Sequence, residues 1–128
     1  MTDALISAAT AVRENAHAPF SKFRVGAAVM DDRGRIFTGC NVENATYGLT
    51  ICAERAAIFK AISEGARKFV RVAVVADTST LTPPCGACRQ ILWEFCGDVE
   101  IVLGNLQGQT ETIRLGVLFP RAFDASFL

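Results

Sequence analysis

Apolar residues recur along the chain in two rhythms, and the change from one to the other marks out the elements. From Asp3 to Ala16, Leu5, Ile6, Ala9, Val12 and Ala16 fall near helical spacing, which predicts a first helix ended by Ala18-Pro19. Phe23 to Met30 is an apolar run read as a buried strand. After the turn residues Asp31-Asp32-Arg33-Gly34, Arg35 to Val42 forms a second strand and completes a hairpin. Glu43 to Ile51 is a loop, Cys52 to Glu64 a second helix closed by Gly65, and Val70 to Ala76 a β-branched central strand. Asp77 to Pro84 is again a loop. A third helix, Cys85 to Phe95, is followed by strands at Val99 to Leu103 and Thr110 to Arg114.

The order α-β-β-α-β-α-β-β predicts an α/β fold: a three-layer α/β/α arrangement around one mixed five-stranded sheet, formed by residues 1–128 as a single domain. The tail from Leu118 to Leu128 is apolar and aromatic, carrying Phe119, Phe123 and Phe127, and is expected to pack on a neighbouring subunit.

Composition narrows the partners. Thirteen Lys and Arg balance thirteen Asp and Glu in 128 residues, so the basic excess of a phosphate-gripping surface is missing and no nucleic-acid partner is expected. Zero net charge leaves little self-repulsion against oligomerisation. No apolar run reaches the roughly 18 residues of a spanning helix, so no membrane partner is expected. Met1 to Ala11 has no basic flank of a signal peptide, which points to the cytoplasm. The five cysteines (Cys40, Cys52, Cys85, Cys88, Cys96) are odd in number, which favours metal or redox chemistry over a disulfide framework.

The chemistry concentrates in Thr50-Ile51-Cys52-Ala53-Glu54-Arg55-Ala56 and Pro83-Pro84-Cys85-Gly86-Ala87-Cys88-Arg89-Gln90. Cys85 and Cys88 share one face at a helix start, and Cys52 opens another helix. If both helices follow strands of one sheet, their N-termini open at the same edge and three thiolates converge. Helix N-termini favour thiolate over thiol. Three thiolates on Zn²⁺ leave one negative charge, which Arg55 and Arg89 are near enough in sequence to offset, and a fourth position open as in catalytic zinc sites. In a regular helix Cys52 and Glu54 would point ~200° apart, so both reach one ion only if Cys52 sits at the helix mouth. Glu54 then stands beside the metal as a proton carrier. His17 is the single histidine, so a His-ligated version of the pattern is not available.

Other readings stay open for these residues. Cys85 and Cys88 fit a redox pair, or a closed structural zinc site with Cys40 or Cys96. Glu54 fits a first-turn acid favoured by the helix dipole, Asn41 and Glu43 fit turn residues, Phe23 and Phe123 fit core aromatics, and Arg89 fits a solvated helix charge. Cys40 and Cys96 read as small buried hydrophobes, and His17 as a loop or cap residue.

With Pro19-Phe20-Ser21-Lys22-Phe23 and Gly39-Cys40-Asn41-Val42-Glu43-Asn44 added, the joint pattern from about Ala18 to Phe123 closely resembles the small three-cysteine, homotetrameric cytidine deaminases. The resemblance implies zinc, one per subunit, on Cys52, Cys85 and Cys88, with Glu54 as proton shuttle and Arg55 donating to the ligating thiolates. It also implies a nucleoside pocket: Asn41 and Glu43 on the ribose hydroxyls, Phe23 against base and sugar, and the Ala53 backbone N–H on the pyrimidine O2. Phe123 would reach the base from another subunit, with Tyr47 and Ala45 assisting. The activity implied is hydrolytic deamination of cytidine and deoxycytidine to the uridines, in pyrimidine salvage, by a tetramer with shared sites. Blasticidin S deaminase is the nearest alternative. The Cys-Ala-Glu-Arg run together with Phe123 favours cytidine.

Overall fold

The computed structural model describes residues 2–128, with side chains from residue 4 onward; Met1 lies outside the described residues. The chain runs α1 (Thr2–Arg13), β1 (Val25–Asp31), β2 (Ile36–Cys40), α2 (Ala53–Ser63), β3 (Phe69–Ala76), α3 (Gly86–Cys96), β4 (Glu100–Gly104), β5 (Thr110–Arg114) and α4 (Leu115–Leu118), with short 3-10 turns at Tyr47–Leu49 and Ala125–Phe127. The strands form one five-stranded sheet in the order β2-β1-β3-β4-β5. β1 is antiparallel to both β2 and β3, β3 and β4 are parallel, and β4 and β5 antiparallel. The mixed α/β fold read from the element order is therefore the observed one.

Alternation along the central strands sends side chains into two separate cores. Val25, Ala27 and Val29 join Val72, Val74, Ile101 and Leu103 under Ala57, Ile58 and Ala61 of α2, Leu92 of α3 and Leu115 of α4. Ala28, Met30, Ala73, Val75 and Val102 face the other way, against Leu5 and Ala9 of α1. Thus α1 covers one face while α2 and α3 cover the other.

This layering positions the site. Since β1 is antiparallel to β2 and β3, those two strands point the same way, and α2 and α3 begin at the same edge of the sheet. Gly39 lets α2 approach β2: a Cβ on it would lie 2.4 Å from the Ala57 backbone nitrogen and 2.8 Å from the Ala53 carbonyl oxygen.

The elements differ from the sequence reading mainly at their ends. Helix α1 stops at Arg13, three residues before Ala16, because Glu14, Asn15 and Ala16 donate to carbonyls only three residues back and the chain then bridges through His17 to Val42. Cys52 and Cys85, read as first helical residues, are the extended caps before α2 and α3 (φ −73°, ψ 154° and φ −66°, ψ 168°). The tail expectation needs a larger correction. Its first part has a partner in its own chain: Leu118 and Phe119 pack on the α2/α3 core, Phe119 edge-on to Trp93 at 6.5 Å. Trp93 Nε1 donates to Asp124 Oδ2 at 3.0 Å, and Gln90 Nε2 to the Phe123 carbonyl at 2.9 Å. Of the large apolar residues of the outer part, Phe123, Phe127 and Leu128 stay exposed.

Candidate active site

Three sulfurs meet where α2 and α3 begin. The Sγ atoms of Cys52, Cys85 and Cys88 all lie within 4.8 Å of one another. Cys88 is buried, Cys52 half-buried and Cys85 exposed, so the cluster is closed behind and open in front. The extended backbone of Cys52 lets it and Glu54 approach one point despite their two-residue spacing, and the cap position of Cys85 likewise sets it beside Cys88 in the first turn of α3.

The electrostatics of the trio call for a cation. Cys52 is held down to about 5, first by the hydrogen bond from the Cys88 thiol, then by the Arg55 hydrogen bond and charge, which together outweigh burial. Arg55 Nη2 stands 3.2 Å from Cys52 Sγ. Cys88 goes the other way: its bond to Cys52, its burial and the negative charges of Glu54 and Cys52 push its thiol far up. One thiolate is thus favoured and the next opposed by it, a conflict that a divalent ion resolves. Arg55 Nε, alone among the buried side-chain nitrogens and oxygens of the described residues, has no hydrogen-bond partner. A guanidinium pressed into this corner with an N–H unsatisfied fits an anionic cluster of more than one thiolate. Four-coordinate zinc with thiolates at about 2.3 Å is the ion that this donor set suits.

Glu54 sits beside the trio, 5% exposed. Burial, with the Cys52 charge added, pushes its carboxyl up to about 7, against weaker opposing pulls from its own backbone N–H and Arg55. Perturbation of this kind in a cleft is typical of groups that exchange protons in catalysis.

In front of the trio opens a cavity of about 220 Å³ lined by Phe23, Asn41, Glu43, Cys52, Ala53, Glu54 and Cys85, together with Ser21, Val25, Thr50, Val74, Thr82 and Pro83. Ala53 is the first residue of α2, where a backbone N–H has no partner within the helix. Asn41 accepts from the Val25 N–H at 2.9 Å and donates to the Phe23 carbonyl at 2.7 Å, which ties the Phe23 wall to the end of β2. Glu43 Oε1 accepts from the Phe20 and Ser21 N–H groups at 2.9 and 3.2 Å, and Oε2 accepts from the Ser21 hydroxyl. The Ser21 hydrogen bond is the main influence holding the Glu43 carboxyl below its ordinary range.

The remaining sequence candidates lie elsewhere. Ala45, Tyr47 and Phe123 do not line the cavity; Tyr47 is 73% exposed with its ring 5.9 Å from Phe20, and Phe123 stacks on Phe127 at 5.6 Å. Arg89 does not neutralise the sulfurs: Nε donates to the Pro84 carbonyl at 2.8 Å and Nη1 to the Leu118 carbonyl at 2.5 Å, so it fastens α4 to the loop before Cys85. Cys96 packs against the core, its thiol pushed up to about 12 by burial, while Cys40 is half-buried; both are free, and neither belongs to the metal-binding group. Ser21, Thr50, Thr82 and Pro83 also line the cavity, although the sequence assigns none of them a role there. Ser21 stands inside the 19–23 motif, and Thr50 and Pro83 open the two cysteine segments, which are the local signals for them; Thr82 has none.

Comparison with known proteins agrees with this geometry. The family model for the cytidine and deoxycytidylate deaminase zinc-binding region matches residues 1–105. The chain is 53% identical over 122 residues to the cytidine deaminase of Halalkalibacterium halodurans (94% of this chain, 92% of the relative), and 50% identical over 120 residues to that of Sporosarcina psychrophila (93% and 88%). The crystal structure of cytidine deaminase from Burkholderia pseudomallei superposes with a TM-score of 0.93 at 49% identity, covering 96% of this chain and 99% of that one. With three sulfurs gathered at two helix mouths and an acid beside them, this chain belongs to the cytidine and deoxycytidylate deaminase family.

Proposed function

We propose that the protein is a zinc-dependent hydrolase that converts cytidine and deoxycytidine to uridine and deoxyuridine with release of ammonia, as in pyrimidine salvage. The observation that carries this reading is the opening of one cavity onto Cys52 and Cys85 of the sulfur trio and onto the buried Glu54 carboxyl. Cys52, Cys85 and Cys88 would hold the zinc, one per subunit. Bound there, the ion supplies Lewis acidity that makes water a competent nucleophile near neutral pH.

The chain's own residues supply the rest. Glu54 takes a proton from the attacking water and delivers it to N3 of the pyrimidine, which makes C4 electrophilic. After the hydroxide so formed adds at C4, the same carboxyl takes the proton of the new C4 hydroxyl and passes it to the amine, which leaves as ammonia while C4 becomes a carbonyl. A carboxyl poised near 7 both accepts and returns protons at neutral pH. Asn41 and Glu43 receive the sugar hydroxyls, Phe23 lies against base and sugar, and the Ala53 N–H meets the pyrimidine O2. Such orientation over the reacting centre is worth several kcal/mol. Arg55 offsets the thiolate charge.

The working unit is residues 1–128 as a single catalytic domain, assembled as a homotetramer. Phe123 lies outside its own cavity and is exposed, which supports its reaching a neighbour's base, with Tyr47 and Ala45 beside that junction. Three thiol ligands require reducing surroundings, which supports a cytoplasmic location. No helix among the described residues is long and apolar enough to cross a membrane.

The test is ultraviolet monitoring of cytidine with metal-loaded and chelator-stripped protein, alongside elemental analysis. The expected result is turnover with about one zinc per chain, lost on stripping and regained with zinc. A metal-loaded protein that leaves cytidine and deoxycytidine unchanged overturns the reading.

A further inference from the structure

One wall of the cavity is built from two loops that meet across 22 positions of sequence. One carries Glu43 and the other runs from His17 to Phe23. They are stitched by backbone bonds: His17 N–H donates to the Asn41 carbonyl at 3.0 Å, and Glu43 N–H to the His17 carbonyl at 2.8 Å. Lys22, between Ser21 and Phe23, has the left-handed φ of 62° and donates its N–H to the Ala18 carbonyl at 3.0 Å, so the loop doubles back tightly.

Ser21 is where the two loops share one group. Its hydroxyl donates to Glu43 Oε2 and accepts from the Phe23 N–H at 3.0 Å. A serine hydroxyl has a single proton, so this arrangement commits that proton to the carboxylate. The Phe23 peptide is then held from both sides, its N–H by Ser21 and its carbonyl by Asn41. The Glu43 carboxylate has about four acceptor positions. The Phe20 and Ser21 N–H groups take both on Oε1, and the Ser21 hydroxyl takes one on Oε2. A single acceptor position is left, on Oε2, and its direction is set by Ser21.

We propose that Ser21 is the positioning residue of the sugar-binding wall, its hydroxyl locking the acceptor oxygen of Glu43 and the Phe23 backbone into one geometry so that a nucleoside hydroxyl meets a prepared acceptor. This rests on the reading of Glu43 as the group that binds the sugar. The carboxyl's lowered range is consistent with it: the Ser21 bond is the largest influence, with burial opposing and the Phe20 and Ser21 N–H groups and the His17 charge assisting.

The experiment compares the zinc-loaded protein with Ser21→Ala, Ser21→Thr, Glu43→Ala and the Ser21→Ala/Glu43→Ala double variant. Ser21 is exposed, so these changes leave the cores untouched. Losing a hydrogen bond to a charged group is expected to raise KM for cytidine about tenfold in Ser21→Ala, the loss falling on KM rather than kcat. Ser21→Thr, which keeps a hydroxyl, is expected to stay within about twofold of the starting protein. In the Glu43→Ala background, Ser21→Ala is expected to add no further loss, because the two residues act as one unit. Carbon-13 titration of the Glu43 carboxyl is expected to move toward its ordinary range in Ser21→Ala and not in Ser21→Thr. An unchanged KM or unchanged carboxyl titration in Ser21→Ala, or losses that multiply fully in the double variant, overturns this inference and leaves the proposed function standing. Absence of cytidine turnover in the unsubstituted protein overturns both.

Discussion

Two buried carboxylates stand near opposite ends of β1 and have opposite fates. Glu54 shares the site cavity with Val25, the first residue of the strand, and Asp31 is the last. Six steps of strand put those ends about 20 Å apart. Both acids are nearly inaccessible, at 5% and 1% exposed. At Glu54 burial, with the Cys52 charge added, outweighs the few donors present and raises the carboxyl to about 7. At Asp31 burial raises the carboxyl too, but the bonds and charge of Arg35 and the Arg33 N–H outweigh it and hold the group below its usual range. Burial does not decide what a carboxylate does; the donors brought to it do. A pair of acids pushed apart in this way separates the group kept for proton transfer from the group kept for structure.

The comparison breaks most directly at Glu54. Glu54→Gln keeps the size and removes the titrating proton, so kcat is expected to fall by about 10²–10⁴-fold, while zinc content by elemental analysis stays near one per chain. Next in size is the countercharge. Arg55→Gln removes the guanidinium beside Cys52 Sγ, and zinc affinity measured by chelator competition is expected to fall by about 10–100-fold, with turnover following metal occupancy. The same substitution at Arg89 is expected to leave zinc affinity unchanged, because Arg89 binds carbonyls and not sulfur.

The placing of the helix gives a smaller effect. In Gly39→Ala the added carbon meets backbone atoms of α2 that cannot swing aside. The expected cost in urea unfolding is about 1–3 kcal/mol. Turnover is expected to drop less than in Arg55→Gln, since Cys52, Ala53 and Glu54 shift with the helix but keep their chemistry.

Gly39 also shows where sequence reading stopped. The cysteine spacing, the Asp31–Gly34 turn and the strand–helix alternation are local patterns, and they were enough for the sheet, the layers and the sulfur corner. The requirement that Cys52 sit at a helix mouth followed from helix geometry alone, and its extended cap backbone meets it. What the pattern could not supply came from contacts distant in sequence. The close approach of Gly39 to α2 needs the packed helix in view. Ser21 differs from other serines only through Glu43, 22 positions away. Arg89 reaches 29 positions to the Leu118 carbonyl, a partner that its sequence proximity to the sulfurs does not show. Helix α4 has only four residues, too few for a period to register.

Asp31→Asn gives the smallest effect on turnover and the sharpest contrast with Glu54. Asp31 Oδ1 accepts from the N–H groups of Arg33 and Arg35 at 3.1 and 2.8 Å, and Oδ2 from Arg35 Nε at 2.7 Å, closing the β1–β2 turn in which Gly34 has φ 81°. Asparagine can keep the acceptor on Oδ1 but turns an N–H₂ group toward the guanidinium, so the folded state loses stability at neutral pH. The pH dependence has a definite sign. A carboxyl lowered on folding binds fewer protons in the native state than in the unfolded one, so its contribution is fully present above the unfolded value of about 3.9. It is lost as pH falls through the lower folded value. The gap in urea midpoint between the unsubstituted protein and Asp31→Asn is therefore expected to hold steady from neutral pH down to about 5 and to narrow below about 4. Per folded molecule, kcat for cytidine is expected to stay unchanged, because the turn lies at the far end of the strand from the cavity. A gap that persists to the acid end would show that Asp31 acts through shape and not through charge. A fall in kcat would show that the two ends of β1 are coupled.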